Sequence, residues 1–412
     1  MADRQVDVLL VGGGVASAAC AAQLREGGFG GSILLVGREA DPPYNRPPIS
    51  KGYLVGEEDR DAALYHPAEW YAANDVELAV RTSVTKLDPV GKVAELSAGG
   101  TVAFERALLA TGANVKRLPV PGSDLEGIHY LRALRNADVL RADVLDAEQV
   151  VLVGGSYIGT EVAASLTKLG KQCVIVMQEQ LTLSRTFGVA VGRWFQTVLE
   201  QQGIEVHGGE TLGHFEGAAE RVRELVCESG LSLRADAVVL GTGAVPDTML
   251  ARSAGFELAD RGGVRCDASL RTSFADIWAA GDTCAYESVI HGRQMRIEHW
   301  DVAIEQGRAV ARAMLGDGSP YDVVPYFFSD LADWTSMEYV GGAPSWETEV
   351  VRGSMADGEF SVFYVAGAKV VGALSVGRSE DLDAARRLIR EHVELADPAT
   401  DLADLGTDLA TL

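Results

Sequence analysis

The feature that most constrains the fold is a pair of similar glycine-rich turns, one at residues 12–17 and the other at 154–159. The first follows the apolar run 6–11, and the second follows the apolar run 150–153. Each turn lies between a strand-like run and an alanine-rich helical stretch, which is the arrangement of a dinucleotide-binding βαβ unit. Two such units in one chain predict two bound dinucleotides, typical of a flavin and a nicotinamide that exchange a hydride.

Length and charge narrow the classes of function. A chain of 412 residues can form two or three domains, and its formal net charge of −23 argues against polyanionic partners such as nucleic acids and anionic membranes. No apolar stretch is long enough to span a bilayer, and the glycines at 12–14 interrupt a run that would otherwise resemble a signal peptide. We expect a cytoplasmic protein that binds neither nucleic acid nor membrane; monomer and homodimer both stay open.

The cysteines point to neither a disulfide framework nor a metal site. Cys20, Cys173, Cys227, Cys266 and Cys284 form no C-x-x-C motif and no metal-ligand spacing. Scattered thiols suit a reducing cytoplasm, and we expect all five to be small buried apolar side chains. No metal is predicted.

The order of segments predicts an α/β fold with two Rossmann-like dinucleotide-binding domains of the glutathione-reductase type and a C-terminal α+β domain. Proline- and glycine-rich stretches at 113–127 and 241–247 indicate crossings between domains. The predicted domains are a discontinuous FAD-binding domain at 1–112 and 245–320, an inserted NAD(H)-binding domain at 113–244, and a C-terminal domain at 321–412. Its acidic last residues, 396–412, are expected to form a loosely attached tail.

The first turn has the pattern of a flavin-binding turn. Gly12, Gly14 and Ser17 fit G-x-G-x-x-G/A, with serine as the small third residue. The glycines let the backbone approach a pyrophosphate, which then lies at the N-terminus of a helix. Glu39, just beyond the next strand-like run, is placed to bind a hydroxyl of the adenosine ribose.

The second turn carries Gly154, Ser156 and Gly159, so a serine replaces the middle glycine. The acidic residue expected after the next strand is ambiguous, because Met177 cannot bind a ribose diol and Glu179 lies two residues later. No arginine pair stands nearby to hold a 2′-phosphate. We therefore favour NADH over NADPH, with Glu179 as the ribose-binding residue.

A Gly-Asp dipeptide completes the predicted flavin site. Gly281 and Asp282 follow a strand-like run, where a carboxylate can accept a hydrogen bond from a ribityl hydroxyl. Thr111 and Gly112 follow another short strand-like run. The dipeptide alone means little, but these four residues and the first turn together indicate FAD.

With these motifs, the chain resembles the oxygenase-coupled, FAD-dependent NADH:ferredoxin reductases, a family related to putidaredoxin reductase, rubredoxin reductase and apoptosis-inducing factor. The resemblance covers nearly the whole chain and is most specific at 43–51, Pro-Tyr-Asn-Arg-Pro-Pro-Ile-Ser-Lys. Further matching segments are 154–161, 271–273, 279–282, 298–300 and 327–330.

The resemblance implies roles for individual residues. Arg46 and Lys51 line the FAD, and Lys51 lies near flavin N5, paired with Glu161. A cation there stabilises the anionic reduced ring, and a carboxylate keeps the lysine charged and in place. Asp282 binds the ribityl chain, and Trp300 lies against the ring edge, where it helps electrons to leave. Lys51, Glu161 and Trp300 are thus the implied catalytic residues.

Three more residues are assigned to the cofactor sites. Glu298 and His299 precede Trp300 in one matching segment, and Ile158 belongs to the second turn. We expect His299 to be structural, because hydride transfer to a flavin needs no general acid from it.

Related disulfide reductases carry redox cysteines after the first pair of strands. In this chain the corresponding stretch holds prolines and Lys51 and no cysteine. We therefore expect an NAD(P)H-dependent flavoprotein reductase whose electrons leave directly from FAD. The resemblance implies single-electron transfer to a [2Fe-2S] ferredoxin or rubredoxin that serves an oxygenase. Two alternatives stay open: a reductase of a quinone or ascorbyl-type radical, and a redox sensor like apoptosis-inducing factor.

The acidic composition raises a question about such a carrier. Ferredoxins are usually acidic, so an enzyme with a charge of −23 must concentrate arginine locally or bind its carrier weakly. Arg293, Arg296 and Arg308 lie near the segment 298–300 and are hypothesised to form a docking patch. The alternative is a solvated surface with no such role.

Overall fold

The first apolar run forms the centre of an open sheet in a computed structural model, which describes residues 2–342 and 344–412. The elements of this part are β1 (Arg4–Val11), α1 (Val15–Glu26), β2 (Ile33–Val36), α2 (Gly52–Val55), α3 (Arg60–Ala63), α4 (Ala68–Ala73), β3 (Val76–Ala79), β4 (Val84–Asp88), β5 (Val93–Leu96) and β6 (Thr101–Leu109). The strand order is β3-β2-β1-β6-β5-β4, and β1 runs parallel to both β2 and β6. A strand covered on both faces explains why β1 is apolar without alternation.

The second glycine turn lies in a separate parallel sheet. Its part of the chain contains β7 (Ala113–Val115), β8 (Ile128–His129), α5 (Leu134–Asp143), β9 (Gln149–Val153), α6 (Tyr157–Lys168), β10 (Gln172–Met177), α7 (Ser184–Gln201), β11 (Glu205–Gly208), β12 (Leu212–Ala218), β13 (Arg221–Cys227), β14 (Ser232–Arg234), β15 (Ala237–Leu240) and β16 (Ala244–Pro246). The strand order is β11-β10-β9-β15-β8, with β12-β13-β14 as a separate antiparallel sheet. Strands β7 and β16 pair with each other, so the chain enters and leaves this part side by side.

The chain then returns to the first sheet. The next elements are α8 (Met249–Ser253), β17 (Val264–Cys266), β18 (Ile277–Ala279), β19 (Cys284–Ser288), β20 (Arg293–Met295) and α9 (Trp300–Met314). Strand β18 runs parallel to β6, so the first sheet takes strands from both sides of the insertion. The predicted fold class is confirmed, and the domain boundaries stay an interpretation.

The C-terminal part is a five-stranded antiparallel sheet with helices. It contains β21 (Tyr326–Leu331), β22 (Thr335–Gly341), β23 (Thr348–Ser354), β24 (Glu359–Ala366), β25 (Lys369–Val376), α10 (Glu380–Glu391) and α11 (Pro398–Ala403). The strand order is β21-β22-β25-β24-β23, which leaves β21 at an edge. Helices α6 and α9 both contact this edge strand, so the C-terminal sheet lies against both nucleotide-binding parts.

Close packing of two helices brings distant motifs together. A Cβ at Gly307 of α9 would lie 2.2 Å from the carbonyl oxygen of Ala16 in α1, so only glycine allows this approach. Helix α9 therefore packs directly against the helix that follows the first glycine turn. Its N-terminal residue, Trp300, is held on the same side of the molecule as that turn.

The expectation of a loosely attached tail is wrong. Arg352, which is 6% exposed, donates to the carbonyl oxygens of Leu402, Asp404 and Thr407. Leu402 and Leu409 are buried in the same core as the C-terminal sheet. The tail is acidic on its outer side. Hydrogen bonds from the buried arginine to its carbonyl groups and the burial of two leucines nevertheless fix it to the C-terminal sheet.

We expect Arg352→Ala to lower the free energy of unfolding by about 2 kcal/mol, because three carbonyl groups lose a charged donor. Urea unfolding measures the loss, and limited proteolysis should cut within 396–412 faster than in the unchanged protein. Arg390→Ala, at an exposed position of α10, is the control and should change neither quantity. Equal behaviour of the two variants would contradict the role given to Arg352.

Candidate functional site

The first glycine turn leaves room for an anionic group at the start of α1. Gly12 has φ +126°, and a Cβ there would lie 2.0 Å from the Ala110 carbonyl oxygen. Nothing lies within 4 Å of a Cβ built at Gly14, the residue that caps α1 without a side-chain hydrogen bond. Ser17 is fully buried in α1. A helix N-terminus with open space before it suits a pyrophosphate.

Glu39 follows β2 and is held by two neighbours. Its carboxylate accepts hydrogen bonds from Tyr44 Oη at 2.5 Å and from Arg46 Nη2 at 3.0 Å. Arg46 also donates to the carbonyl oxygen of Arg132. The structure therefore brings the predicted residues Glu39 and Arg46 together at the carboxyl end of the first sheet.

Asp282 lies in the 3₁₀ turn Gly281–Thr283, directly after β18. Arg132 Nη2 donates to Asp282 Oδ2 at 2.5 Å, and Arg132 Nε donates to the Ala113 carbonyl at 3.1 Å. The amide of Gly281 donates to Gln306 Oε1 of α9 at 2.8 Å. The predicted Gly-Asp dipeptide is thus fixed by an arginine from the inserted part and by a glutamine from α9.

Thr111 and Gly112 tie the two crossings together. Thr111 Oγ1 donates to the carbonyl of Asp247 at 2.6 Å, and the Asp247 amide donates to the carbonyl of Gly112 at 2.8 Å. The two residues therefore lie where the chain crosses between the two parallel sheets. Their predicted contact with a cofactor stays a prediction.

Lys51 and Glu161 meet at a buried junction. Lys51 follows the 3₁₀ turn Pro47–Ser50, and its Nζ lies 2.8 Å from Glu161 Oε1 of α6. Glu161 is 5% exposed, and its carboxylate also accepts from Ser50 Oγ and Ser329 Oγ, each at 2.6 Å. Three donors on one buried carboxylate fix its position.

The lysine has further neighbours on β21. Its Nζ lies 3.9 Å from Asp330 Oδ2 and 5.3 Å from the centroid of the Phe328 ring. A cation over an aromatic face is attracted by the ring quadrupole. Lys51 therefore lies among groups from all three parts of the chain.

The segment 298–300 faces the same strand. Trp300 Nε1 donates to Asn45 Oδ1 at 2.8 Å, and its ring centroid is 6.2 Å from that of Phe328. His299 caps α9, and burial together with the charge of Lys51 lowers the pKa of His299 to about 4. The imidazole is therefore neutral at pH 7, which agrees with a structural role.

The three arginines near this segment do not form one free patch. Arg293 donates to the carbonyl of Gly342, and Arg296 donates to the carbonyl of Asp282. Arg296 also pairs with Glu298 at 2.5 Å, so the predicted residue Glu298 is engaged in an ion pair. Arg308 pairs with Glu305 at 2.7 Å and keeps 45% of its side chain exposed.

The second glycine turn has the same tight backbone as the first. Gly154 has φ +111°, and a Cβ at Gly159 would lie 1.9 Å from the Gly154 carbonyl oxygen. Ser156 caps α6 without a side-chain hydrogen bond, and Ile158 is 39% exposed in the first turn of the helix. The start of α6 is therefore open to a second anionic group.

The two residues considered at the end of β10, Met177 and Glu179, differ in burial. Met177 is buried beneath the turn, where its Sδ would lie 2.0 Å from a Cβ at Gly155. Glu179 is partly exposed, and its carboxylate lies 3.6 Å from Nη1 of Arg185, whose side chain is exposed. Of these two candidates, only Glu179 is open to solvent beside the turn.

Among residues 2–342 and 344–412, all five cysteines are free and buried, and no cluster of histidine, cysteine and acidic side chains could hold a metal ion. Over the same residues, every helix is too short or too polar to cross a membrane.

Sequence reasoning missed several groups that the structure places in these sites. Ser50, Ser329 and Asp330 lie inside matching segments, but nothing in the linear pattern marks their partners. Arg132 and Gln306 carry no local signal, because each acts on a residue that is remote in the chain.

Comparison with protein families gives two matches. Residues 6–307 match the model of the pyridine nucleotide-disulphide oxidoreductases. Residues 326–412 match the model described as reductase C-terminal. The two matches together account for both glycine turns and for the antiparallel sheet with its tail.

Individual relatives match over almost the whole chain. Rhodocoxin reductase of Rhodococcus erythropolis is 31% identical over 405 residues, which cover 98% of this chain and 94% of that protein. The crystal structure of the ferredoxin reductase for the CYP199A2 system from Rhodopseudomonas palustris is 32% identical, with a TM-score of 0.94 and coverage of 98% and 99%. The covalent putidaredoxin reductase–putidaredoxin complex gives 30% identity, a TM-score of 0.93 and coverage of 100% and 98%.

Proposed function

This chain belongs to the pyridine nucleotide-disulphide oxidoreductase family, and on that premise we propose that it takes a hydride from NADH into FAD and passes single electrons to a [2Fe-2S] ferredoxin or rubredoxin that serves an oxygenase. When bound, FAD would supply the chemistry that accepts two electrons as a hydride and releases them one at a time. We place the protein in the cytoplasm, as a monomer or a homodimer.

The residues at the first turn fit an FAD. Gly12 lets the backbone pass against the Ala110 carbonyl, and the open space at Gly14 leaves a cradle at the start of α1. Glu39 and Asp282 supply carboxylates for sugar and ribityl hydroxyls, and Arg46 supplies a cation for the phosphates. Arg132 joins this set because it is already bonded to Asp282.

The residues at the second turn fit NADH. The open start of α6 would receive its pyrophosphate at Gly154, Ser156 and Gly159. Glu179 would bind the adenosine ribose, because its partly exposed carboxylate follows β10 beside the turn. A carboxylate at that place repels a 2′-phosphate, which favours NADH over NADPH. Arg185, which lies beside Glu179, moderates that preference.

The observation that carries the proposal is the Lys51–Glu161 pair at 2.8 Å. The buried carboxylate holds the lysine in place, and the ammonium group would stabilise negative charge on a neighbouring reduced ring. The five cysteines lie in hydrophobic cores. Because these thiols are buried away from the junction, the flavin would reduce its acceptor without a thiol intermediate.

The carrier would dock where α9 and β21 meet the surface. Trp300 and Phe328 form an aromatic contact there, and Tyr326 continues it toward solvent, with ring centroids 6.5 Å apart. Arg386 lies over Tyr326 at 5.3 Å, and Arg308 projects from α9. Both arginines are partly exposed, and each also pairs with a carboxylate of its own helix, Arg386 with Asp383 and Arg308 with Glu305. Their guanidinium groups would be the cations that an acidic carrier meets on this acidic enzyme.

A small acceptor is the second candidate, favoured by one observation. Phe327 and Phe328 of β21 lie beside His299, and their ring centroids are 5.4 and 6.0 Å from that of the imidazole. A face of this kind would also suit a planar quinone or an ascorbyl-type radical.

NADH oxidation by the purified flavoprotein, coupled to cytochrome c, distinguishes the two candidates. We expect a rate that rises steeply and saturates when a [2Fe-2S] ferredoxin is added. If quinones support rapid NADH oxidation and the rate does not respond to ferredoxin or rubredoxin, the enzyme is a reductase of small acceptors instead. Addition of each carrier without NADH is the blank.

Lys51→Met should slow flavin reduction by NADH by about 100-fold, because a charge placed for the reduced ring is lost. Stopped-flow absorbance of the flavin measures the rate, and the FAD content after gel filtration shows whether binding survives. Lys86→Met removes an exposed surface lysine and should leave both unchanged. Unaltered reduction kinetics in Lys51→Met would remove the role proposed for Lys51.

Glu179→Arg should move the ratio of kcat/KM for NADH to that for NADPH toward NADPH by about tenfold or more, because a repelling carboxylate becomes a phosphate-binding cation. Glu200→Arg makes the same charge change at an exposed position of α7 and should leave the ratio unaltered. If both variants give the same ratio, another residue binds the ribose.

A further inference from the structure

Glu161 joins three parts of the chain through one buried carboxylate. It belongs to α6 of the inserted part, and Lys51 and Ser50 reach it from the first part. Ser329 reaches it from β21 of the C-terminal sheet, with Oγ 2.6 Å from the same Oε1 that holds Lys51. A carboxylate that is 5% exposed depends on each of these donors, because few waters can replace a lost one.

A second carboxylate competes for the lysine. Asp330 Oδ2 lies 3.9 Å from Lys51 Nζ, and Asp330 is the residue after Ser329 on the same strand. Its other oxygen accepts from Ser336 Oγ at 2.6 Å, and 30% of its side chain is exposed. Lys51 therefore lies between one buried carboxylate in contact and one more exposed carboxylate slightly further away.

We propose that Ser329 is a positioning residue, and that β21 thereby sets how strongly the charge of Lys51 acts on the flavin. The Ser329 hydroxyl fixes Glu161 so that Glu161, rather than Asp330, holds the lysine. Asp330 acts in the opposite sense, as a negative charge near the same ammonium group. This inference rests on the proposed function, in which Lys51 lies beside the flavin.

The two residues have consequences of opposite sign. Without the Ser329 hydroxyl, Glu161 loses one of the donors that fix its position, and Lys51 moves toward Asp330 and solvent. The flavin reduction potential then falls, because a cation stabilises a reduced anionic ring. Without the charge of Asp330, Lys51 is held by Glu161 alone and one negative charge is gone. The potential then rises.

The test uses the FAD-loaded full-length protein. Spectroelectrochemical titration gives the flavin potential, and stopped-flow mixing with NADH gives the rate of flavin reduction. Ser329→Ala should lower the potential and slow reduction by about tenfold, the effect of losing one hydrogen bond to a charged group. Ser329→Thr keeps a hydroxyl and should restore both values, whereas Asp330→Asn should raise the potential.

Ser361→Ala is the matched control. Ser361 is a buried serine of the same sheet, and its Oγ donates to a carboxylate, Asp381 Oδ2, at 2.9 Å. This variant should leave the potential and the rate unchanged even if it lowers the melting temperature. If Ser329→Ala misfolds, the threonine and asparagine variants still decide, because the proposal requires no shift in the first and an upward shift in the second.

The possible failures are distinguishable. Potentials that stay constant in Ser329→Ala and Asp330→Asn, or that move in the same direction in both, would overturn the positioning role. The proposed function would survive that result if NADH still reduced the flavin of the unchanged protein. An unchanged protein whose flavin NADH does not reduce would instead contradict the proposed function itself.

Discussion

The rest of the structure depends on one carboxylate that is almost fully removed from water. Glu161 accepts hydrogen bonds from Lys51, Ser50 and Ser329, and a buried polar group that loses such partners is destabilising. Those donors come from all three parts of the chain. The full set of donors to Glu161 therefore exists only where the three parts are packed together.

The two glycine turns help to position this junction. Gly12 and Gly154 have positive φ, and the carbonyl oxygen of a neighbouring strand end occupies the space where each would carry a Cβ. The glycines thus let each parallel sheet end directly at the start of its helix, α1 or α6. Because α6 also carries Glu161, the same turn that leaves the start of α6 open sets the position of the carboxylate.

The net charge of the chain does not show where free positive charge lies on its surface. The chain carries a formal net charge of −23, yet most arginines near the segment 298–300 are engaged by carbonyls or carboxylates of the chain itself. A patch inferred from neighbours in sequence therefore overestimates the free positive charge. Arg386, from α10, lies over the Tyr326 ring of β21 and pairs with Asp383, and no pattern of nearby residues in the sequence points to this position.

The sequence by itself determined the two βαβ units, the α/β class and Glu179 as the candidate ribose residue, because glycine turns, apolar runs and acidic residues after strands are local signals. Its likeness to a reductase family supplied Lys51, Glu161 and Trp300. Only the tertiary structure decided that Arg132 holds Asp282, that Ser329 holds Glu161 and that Arg352 fixes the tail. Partners 150 and 168 residues apart leave no periodic pattern, since packing of separate domains alone brings them within hydrogen-bond distance.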